Sequence, residues 1–178
     1  MKGDYAKALA DYEIAAKKNP NLAFVLNNIG TTKMKMKDYT GALAAFSRAI
    51  SIDNQFYLAY NNRGVLQMKQ KRFVESIKDF KKALELNPDY SMAAANLSGI
   101  YFQQEDYKKA LDCFEKVIIF CKVSDGYDQA SKILPTAYYF KGQALFGLKK
   151  LTKAISSHQI VLNICDVDDS NYHELLAV

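Results

Sequence analysis

The stretch Tyr39–Ile52, YTGALAAFSRAISI, returns 34 residues later as Phe73–Leu86, FVESIKDFKKALEL. Both copies open with an aromatic residue, and both place a small residue three positions on and a second aromatic residue seven positions on. The first aromatic column runs Tyr5, Tyr39, Phe73 and Tyr107, and the second runs Tyr12, Phe46, Phe80 and Phe114. Because several independent columns share one spacing, the sequence indicates a repeat of 34 residues.

Each repeat predicts two helices joined by a tight turn. Apolar residues recur three and four positions apart ahead of the aromatic columns, as in Leu22, Leu26 and Ile29, which is the spacing of a helix face. Turns are predicted at Lys37-Asp38, Lys71-Arg72 and Glu105-Asp106. The second helix ends at the Asn-Pro pairs 19–20 and 87–88, because a residue before proline disfavours the helical region. Small residues at Gly30, Gly64 and Ser98 are expected to let the paired helices approach closely.

The period breaks after Ile118. The step from Tyr107 to Leu151 is 44 residues, so ten residues are inserted. We expect a long second helix in the third repeat and a turn at residues 124–126 before the fourth. In that fourth repeat His158 stands in the aromatic column, which marks it as divergent.

The runs Ala42-x3-Phe46-x2-Ala49 and Ser76-x3-Phe80-x2-Ala83 resemble the signature of the tetratricopeptide repeat. The signature's tyrosine column is weaker here, because Lys33 and Gln67 occupy it and only Tyr101 fits. The resemblance implies an all-α fold, a right-handed superhelical α-solenoid of antiparallel helix pairs. It divides the chain into a partial repeat with the second helix only (1–22), two repeats (23–56 and 57–90), a repeat with the insertion (91–134), a divergent repeat (135–168) and the start of a C-terminal helix (169–178). Since the first unit begins at its inter-helix turn, we expect the sequence to be a segment of a longer protein.

For function, the resemblance implies a protein-interaction scaffold in which the first helices line a concave groove for a partner's peptide. The predicted peptide-binding residues are Asn28, Asn62, Asn96, Asn27, Asn61, Phe24, Leu58, Met92, Lys35, Lys69, Phe102 and Phe140.

Three of these asparagines, Asn28, Asn62 and Asn96, lie 34 residues apart. A primary amide donates and accepts hydrogen bonds, so a row of amides can pair with the backbone of an extended peptide. The row resembles the asparagine ladder in the repeats of O-linked N-acetylglucosamine transferase and of the peroxisomal targeting-signal receptor. The alternative is that these amides satisfy local backbone groups or water. Phe140 takes the place in the fourth repeat, so the predicted ladder has three rungs.

Two alternative functions remain. A co-chaperone adaptor of this family clamps the terminal carboxylate of its partner with lysine, arginine and asparagine side chains from three successive repeats. The cationic side chains make such a clamp strong. Only Asn62 agrees with that pattern, so we predict no tight binding to chaperone tails. The other alternative is a non-catalytic segment of a larger enzyme, such as a glycosyltransferase.

Composition and motifs argue against several other functional classes. Two histidines, no catalytic or phosphate-loop motif and three cysteines without a CxxC pair argue against an enzyme, a cofactor or a metal site. The net charge of +5 does not by itself indicate a nucleic-acid protein. The lysines that end the first helices, Lys33, Lys35 and Lys37, predict a solvated edge, and the alternative is a basic edge for an acidic peptide or RNA. The longest apolar run is too short for a bilayer, and unpaired thiols favour a reducing, cytoplasmic location. The partner, pathway and oligomeric state are not encoded in any pattern of the sequence.

Overall fold

The computed structural model describes residues 4–123 and 127–164, and all regular secondary structure in those ranges is helical. The helices are α1 (Tyr5–Lys18), α2 (Ala23–Lys35), α3 (Tyr39–Ile52), α4 (Tyr57–Lys69), α5 (Phe73–Leu86), α6 (Ser91–Gln103), α7 (Tyr107–Val123), α8 (Tyr127–Gly147) and α9 (Leu151–Ile164). The all-α repeat fold predicted from the sequence is therefore confirmed. The predicted turn at 124–126 and the predicted C-terminal helix at 169–178 lie outside the described residues.

The turns within the helix pairs share one backbone conformation. Lys37, Lys71, Glu105 and Lys149 have φ values of 65°, 61°, 59° and 59°, in the left-handed region. The next residue in each turn donates its backbone N–H to a carbonyl five positions earlier, as Asp38 does to Lys33 at 2.9 Å. This is the Schellman ending of a helix, built here without glycine. It recurs at Lys149, 44 residues after Glu105, which equals the step from Tyr107 to Leu151 in the sequence.

A different arrangement ends the second helices α1, α3 and α5. Asn19, Asp53 and Asn87 follow α1, α3 and α5 and adopt extended backbone, with ψ between 93° and 98°. The side-chain oxygen of each accepts a hydrogen bond from the backbone N–H two residues later. Proline follows only two of the three, so the side-chain oxygen is the feature that all three share.

The rings of the second aromatic column pack directly against the glycines of the preceding first helices. A Cβ atom placed on Gly30 would lie 2.6 Å from the ring of Phe46, and one on Gly64 would lie 2.8 Å from Phe80. In the fourth pair, His158 covers Gly142 in the same way, at 2.7 Å. His158 thus occupies the place of the aromatic residue, and the small residues allow each pair of helices its close contact.

The ten inserted residues lengthen the helices on both sides of the break. Helix α7 has 17 residues, against 14 in α3 and α5, and α8 has 21, against 13 in α2, α4 and α6. Helix α8 therefore starts ahead of Pro135, where the sequence places the fourth repeat. Pro135 lies inside α8, where its missing N–H removes one intrahelical hydrogen bond.

Contacts divide the chain into two compact units, Met1–Ala93 and Ala94–Val178, with the boundary inside α6. In the first unit each helix contacts the next, and α2 also contacts α4, which brings first helices of successive repeats together. Its core includes Val25, Leu26, Ile29, Ala45, Ala49 and Ala59. In the second unit α8 contacts both α7 and α9. No helix in the described part of the chain is long and apolar enough to cross a membrane.

Candidate peptide-binding site

Three of the predicted asparagines of the first unit form a connected group, which we call the amide cluster: Asn27, Asn61 and Asn62. The Nδ2 of Asn62 donates a hydrogen bond to Oδ1 of Asn27 at 2.9 Å, across the contact between α4 and α2. The Nδ2 of Asn61 donates to Oδ1 of Asn62 at 3.3 Å. Asn27 and Asn61 are buried, whereas Asn62 is half-buried. The cluster therefore joins two first helices through polar side chains.

Asn62 keeps hydrogen-bonding capacity after these bonds form. A primary amide has two N–H donors and two acceptor positions, and the cluster uses one of each on Asn62. Asn28 is also half-buried, and its side chain makes no hydrogen bond to the residues that the structure describes; its backbone carbonyl accepts from Thr32 at 2.8 Å. Asn28 and Asn62 are thus the two predicted amides of the first unit that are half-buried rather than buried.

The other predicted residues of the first unit differ in exposure. Phe24 and Met92 are exposed, at 56% and 45%, and Lys35 and Lys69 are also exposed. Leu58 is half-buried. In the second unit Asn96 is half-buried and has a partner.

The second unit contains an open, mostly apolar cavity of about 350 Å³, which we call the aromatic pocket. Helices α6, α7 and α8 all contribute to it. Its lining residues are Ala95, Gly99, Phe102, Phe114, Val117, Thr136, Ala137 and Phe140. None of them carries a charge, and Thr136 supplies the only polar side chain of this lining. Phe102 and Phe140, which the sequence predicts as separate groove residues, meet in this one pocket.

Aromatic contacts hold the rings of the pocket in place. Phe102 meets Phe140 edge-on, with ring centroids 5.6 Å apart, and Phe140 stacks on Phe114 at 6.0 Å. These are the geometries that aromatic pairs prefer. At Gly99 no heavy atom apart from those of its chain neighbours and of the local α6 backbone lies within 4 Å of the position that a Cβ would take, so the lining is open there.

Sequence reasoning left out the part of the lining that comes from the second helix of the pair. Phe114 lies in the second aromatic column, and Val117 follows it three residues later on the same helix. Both side chains are buried, at 5% and 1% exposure, yet they also line the cavity. One feature of the sequence does indicate the cavity: the column that holds Asn27 and Asn61 holds the smaller Ala95 in the next repeat.

Thiol, imidazole and carboxylate side chains of the described residues are the groups that could bind a metal ion. Neither Cys113 nor Cys121 forms a disulfide with a described residue, and burial raises the pKa of Cys121, which keeps it protonated at neutral pH. No group of three or more His, Cys, Asp and Glu side chains in the part of the chain that the structure describes is arranged to hold a metal ion.

Three family models, each described as a tetratricopeptide repeat, match residues 25–56, 57–90 and 75–122, which together span more than half of the chain. No curated protein sequence matches it. Among solved structures, a crystal structure of MamA matches with a TM-score of 0.76 and 23% identity, covering 92% of this chain and 90% of that one. BtubC (BKLC) from P. vanneervenii matches with a TM-score of 0.80 and 14% identity, over 92% and 74% of the two chains. The N-terminal domain of stress-induced protein-1 (STI-1) from C. elegans matches with a TM-score of 0.58 and 20% identity, over 68% and 92%. At these identities the likeness is one of fold.

Proposed function

The chain belongs to the tetratricopeptide-repeat family, a family of protein-interaction scaffolds, and from that premise we propose that its aromatic pocket receives an apolar side chain of a partner's peptide. The observation that carries the proposal is the meeting of Phe102, Phe140 and the bare backbone of Gly99 around one open, uncharged cavity. Cavities of roughly this size and apolar character are the usual binding sites of proteins.

The energetics favour a large apolar anchor. Burying one leucine, isoleucine, phenylalanine or methionine side chain contributes about 1.5–3 kcal/mol. An aromatic anchor also gains from edge-on contact with the rings already present. A terminal carboxylate would find no cation in this lining, which agrees with the prediction that chaperone tails do not bind tightly.

In the first unit, Asn28 and Asn62 would bind the main chain of a peptide rather than its side chains. Each offers a donor and an acceptor, and a peptide unit needs both. The exposed Phe24 near Asn28 and the half-buried Leu58 near Asn62 on the same helices would contact the peptide's apolar groups.

Filling the pocket tests the anchor. Peptides would be selected from a random displayed library against the wild-type chain, and their affinities for two variants would be measured by calorimetry. Gly99→Leu places a branched side chain in the cavity and is expected to weaken binding by about tenfold to a hundredfold, the value of one buried anchor. Gly99→Ala adds a single methyl group and serves as the control. Peptides that bind Gly99→Leu as tightly as the wild type would contradict the proposal.

The amides need a different design, because one of them is also structural. Asn62→Ala would leave the buried Oδ1 of Asn27 without its donor and weaken the fold as well as binding. Asn28→Ala removes a side chain that has no described hydrogen bond, so it is the cleaner variant. We expect Asn28→Ala to leave the helical circular dichroism and melting temperature unchanged while it weakens peptide affinity about fivefold, the value of one hydrogen bond. Unchanged affinity would remove Asn28 from the site.

A further inference from the structure

One side of α9 is apolar and exposed. Ile155 is 68% exposed and Leu162 is 38% exposed. Leu151, which is also exposed, lies four residues ahead of Ile155, and Leu162 lies seven residues after it, so the three side chains share one side of the helix. We call this side the α9 strip. Large apolar side chains that are exposed next to one another usually mark a contact surface.

The columns of the repeat show what covers this strip elsewhere in the chain. Ile155 and Leu162 continue two columns whose earlier members are apolar and buried or half-buried: Leu43, Ile77 and Leu111, and Ile50, Leu84 and Ile118. Leu43 packs against a cluster that includes Leu66 of α4. In the second unit, α7 carries the buried Ile118 and contacts α8. A second helix therefore turns this strip toward the first helix that follows it.

The α9 strip lacks such a cover among the described residues. No helix follows α9 in residues 4–123 and 127–164. A stack of repeats needs a polar outer face at its end, because only a neighbouring repeat can cover an apolar one. The strip is apolar, so it needs a cover from outside the described residues, and the chain itself continues there with residues 165–178.

Spacing favours a first helix in that segment. A first helix starts five positions after the preceding second helix ends in three places, namely α2 after α1, α4 after α3 and α6 after α5. Because α9 ends at Ile164, the same spacing starts the next helix at Asp169. Asp166 and Asp168 come directly before it, and carboxylates at the start of a helix stabilise it through the helix dipole.

The register of the repeat fits the segment as well. In the first unit Ile50 lines one open pocket together with Tyr60 and Arg63 of α4, and Leu43 packs against the cluster of Leu66. Three repeat steps of 34, 34 and 44 residues carry these five positions to the end of the chain, where all are apolar or aromatic: Leu162, Tyr172, Leu175, Ile155 and Val178. A helix in this register would place apolar side chains against both ends of the strip.

We infer that residues 169–178 form a helix that binds the α9 strip in the register of a first helix. Val178 then lies against Ile155. Leu175 lies against Leu162. Charge repulsion does not oppose the contact, because α9 has no acidic residue and the segment has no lysine or arginine. Since the segment is tethered to α9, its effective concentration is of millimolar order, which favours it over a second copy or a separate partner.

Amide hydrogen exchange of the full chain tests the contact, read over α9 and over residues 169–178. Leu175→Gln removes an apolar side chain from the contact and should speed exchange in both regions by about tenfold to a hundredfold, the value of one buried leucine. Leu176→Gln is the matched control. Position 176 continues the column of Gly64, which faces the second helix that follows and not the strip, so exchange should stay at the wild-type rate. Equal rates for the two variants, changed or unchanged, would overturn the inference.

A double-mutant cycle tests the pairing itself. Leu162→Ala and Leu175→Ala should each speed exchange, and the double variant should exchange more slowly than the product of the two effects, because residues in contact are not independent. Independent effects would overturn the pairing. The rates should also be the same at every chain concentration. Exchange that slows as the concentration rises would show that a second copy covers the strip, and would overturn the contact within one chain.

Discussion

The amide cluster of the first unit and the aromatic pocket of the second stand on equivalent positions of the repeat, and one is filled where the other is open. Asn27 and Asn61 are followed in their column by Ala95, and Val65 is followed in its column by Gly99. The helices that carry these columns, α2, α4 and α6, each have 13 residues. The difference therefore comes from side-chain size: amides bond to one another in the first unit, and alanine and glycine leave a cavity in the second.

The two units also differ in the exposure of the ion pairs that join their helices. Breaking these pairs should produce the largest difference in the free energy of unfolding. Asp79 in the first unit is nearly inaccessible, with 5% of its side chain exposed, and its bidentate pair with Arg63 links α5 to α4. Asp79→Ala would leave the half-buried Arg63 guanidinium without its carboxylate partner, and we expect a loss of up to about 3 kcal/mol in the free energy of unfolding, measured by urea denaturation.

The matched control lies in the second unit. Glu115 on α7 pairs with Lys141 on α8 at 3.1 Å, but 49% of its side chain is exposed. Glu115→Ala should cost no more than about 1 kcal/mol, because an exposed pair is screened by solvent. Replacing both Arg63 and Asp79 by leucine should recover most of the stability that Asp79→Ala loses. Equal losses for Asp79→Ala and Glu115→Ala would mean that the first unit does not depend on buried polar contacts.

Much of the fold follows from the sequence because its signals are local and repeated. The columns at Gly30, Phe46 and Ala49 recur so regularly that the helix pairs and their turns follow from spacing alone. The insertion was harder to place, because a periodicity shows how many residues are added but not which helix receives them. Here α8 received residues that the sequence reading assigned to the third repeat.

The site is predicted less completely, because it depends on spaces rather than on residues. The sequence reading selects Phe102 and Phe140, but the pocket arises from what is missing at Ala95 and Gly99. It also treats Asn62 as a free rung, whereas the structure bonds it to Asn27 across a helix contact. Hydrogen bonds between repeats depend on side-chain rotamers that spacing does not specify.

Two glycines, one in each unit, allow filled and open positions to be compared by adding a single methyl group. Gly64 lies against the ring of Phe80, which is fully buried, and a Cβ there would approach the ring to 2.8 Å. The overpacking in Gly64→Ala should cost up to about 3 kcal/mol, and the better helix propensity of alanine returns about 1 kcal/mol, so the expected net loss is about 2 kcal/mol. Urea denaturation followed by circular dichroism measures it. An unchanged midpoint would show that Phe80 can move aside.

The smallest effect should have the opposite sign. Gly99 also lies inside a first helix, α6, but a Cβ placed there meets no heavy atom within 4 Å. Gly99→Ala therefore carries the gain in helix propensity without the clash, and we expect the free energy of unfolding to rise by about 0.5–1 kcal/mol. The same denaturation measurement, run beside Gly64→Ala, compares one substitution in a filled and in an open position. If Gly99→Ala lost stability instead, the space beside residue 99 would have to be occupied, and the aromatic pocket would not be open to a ligand.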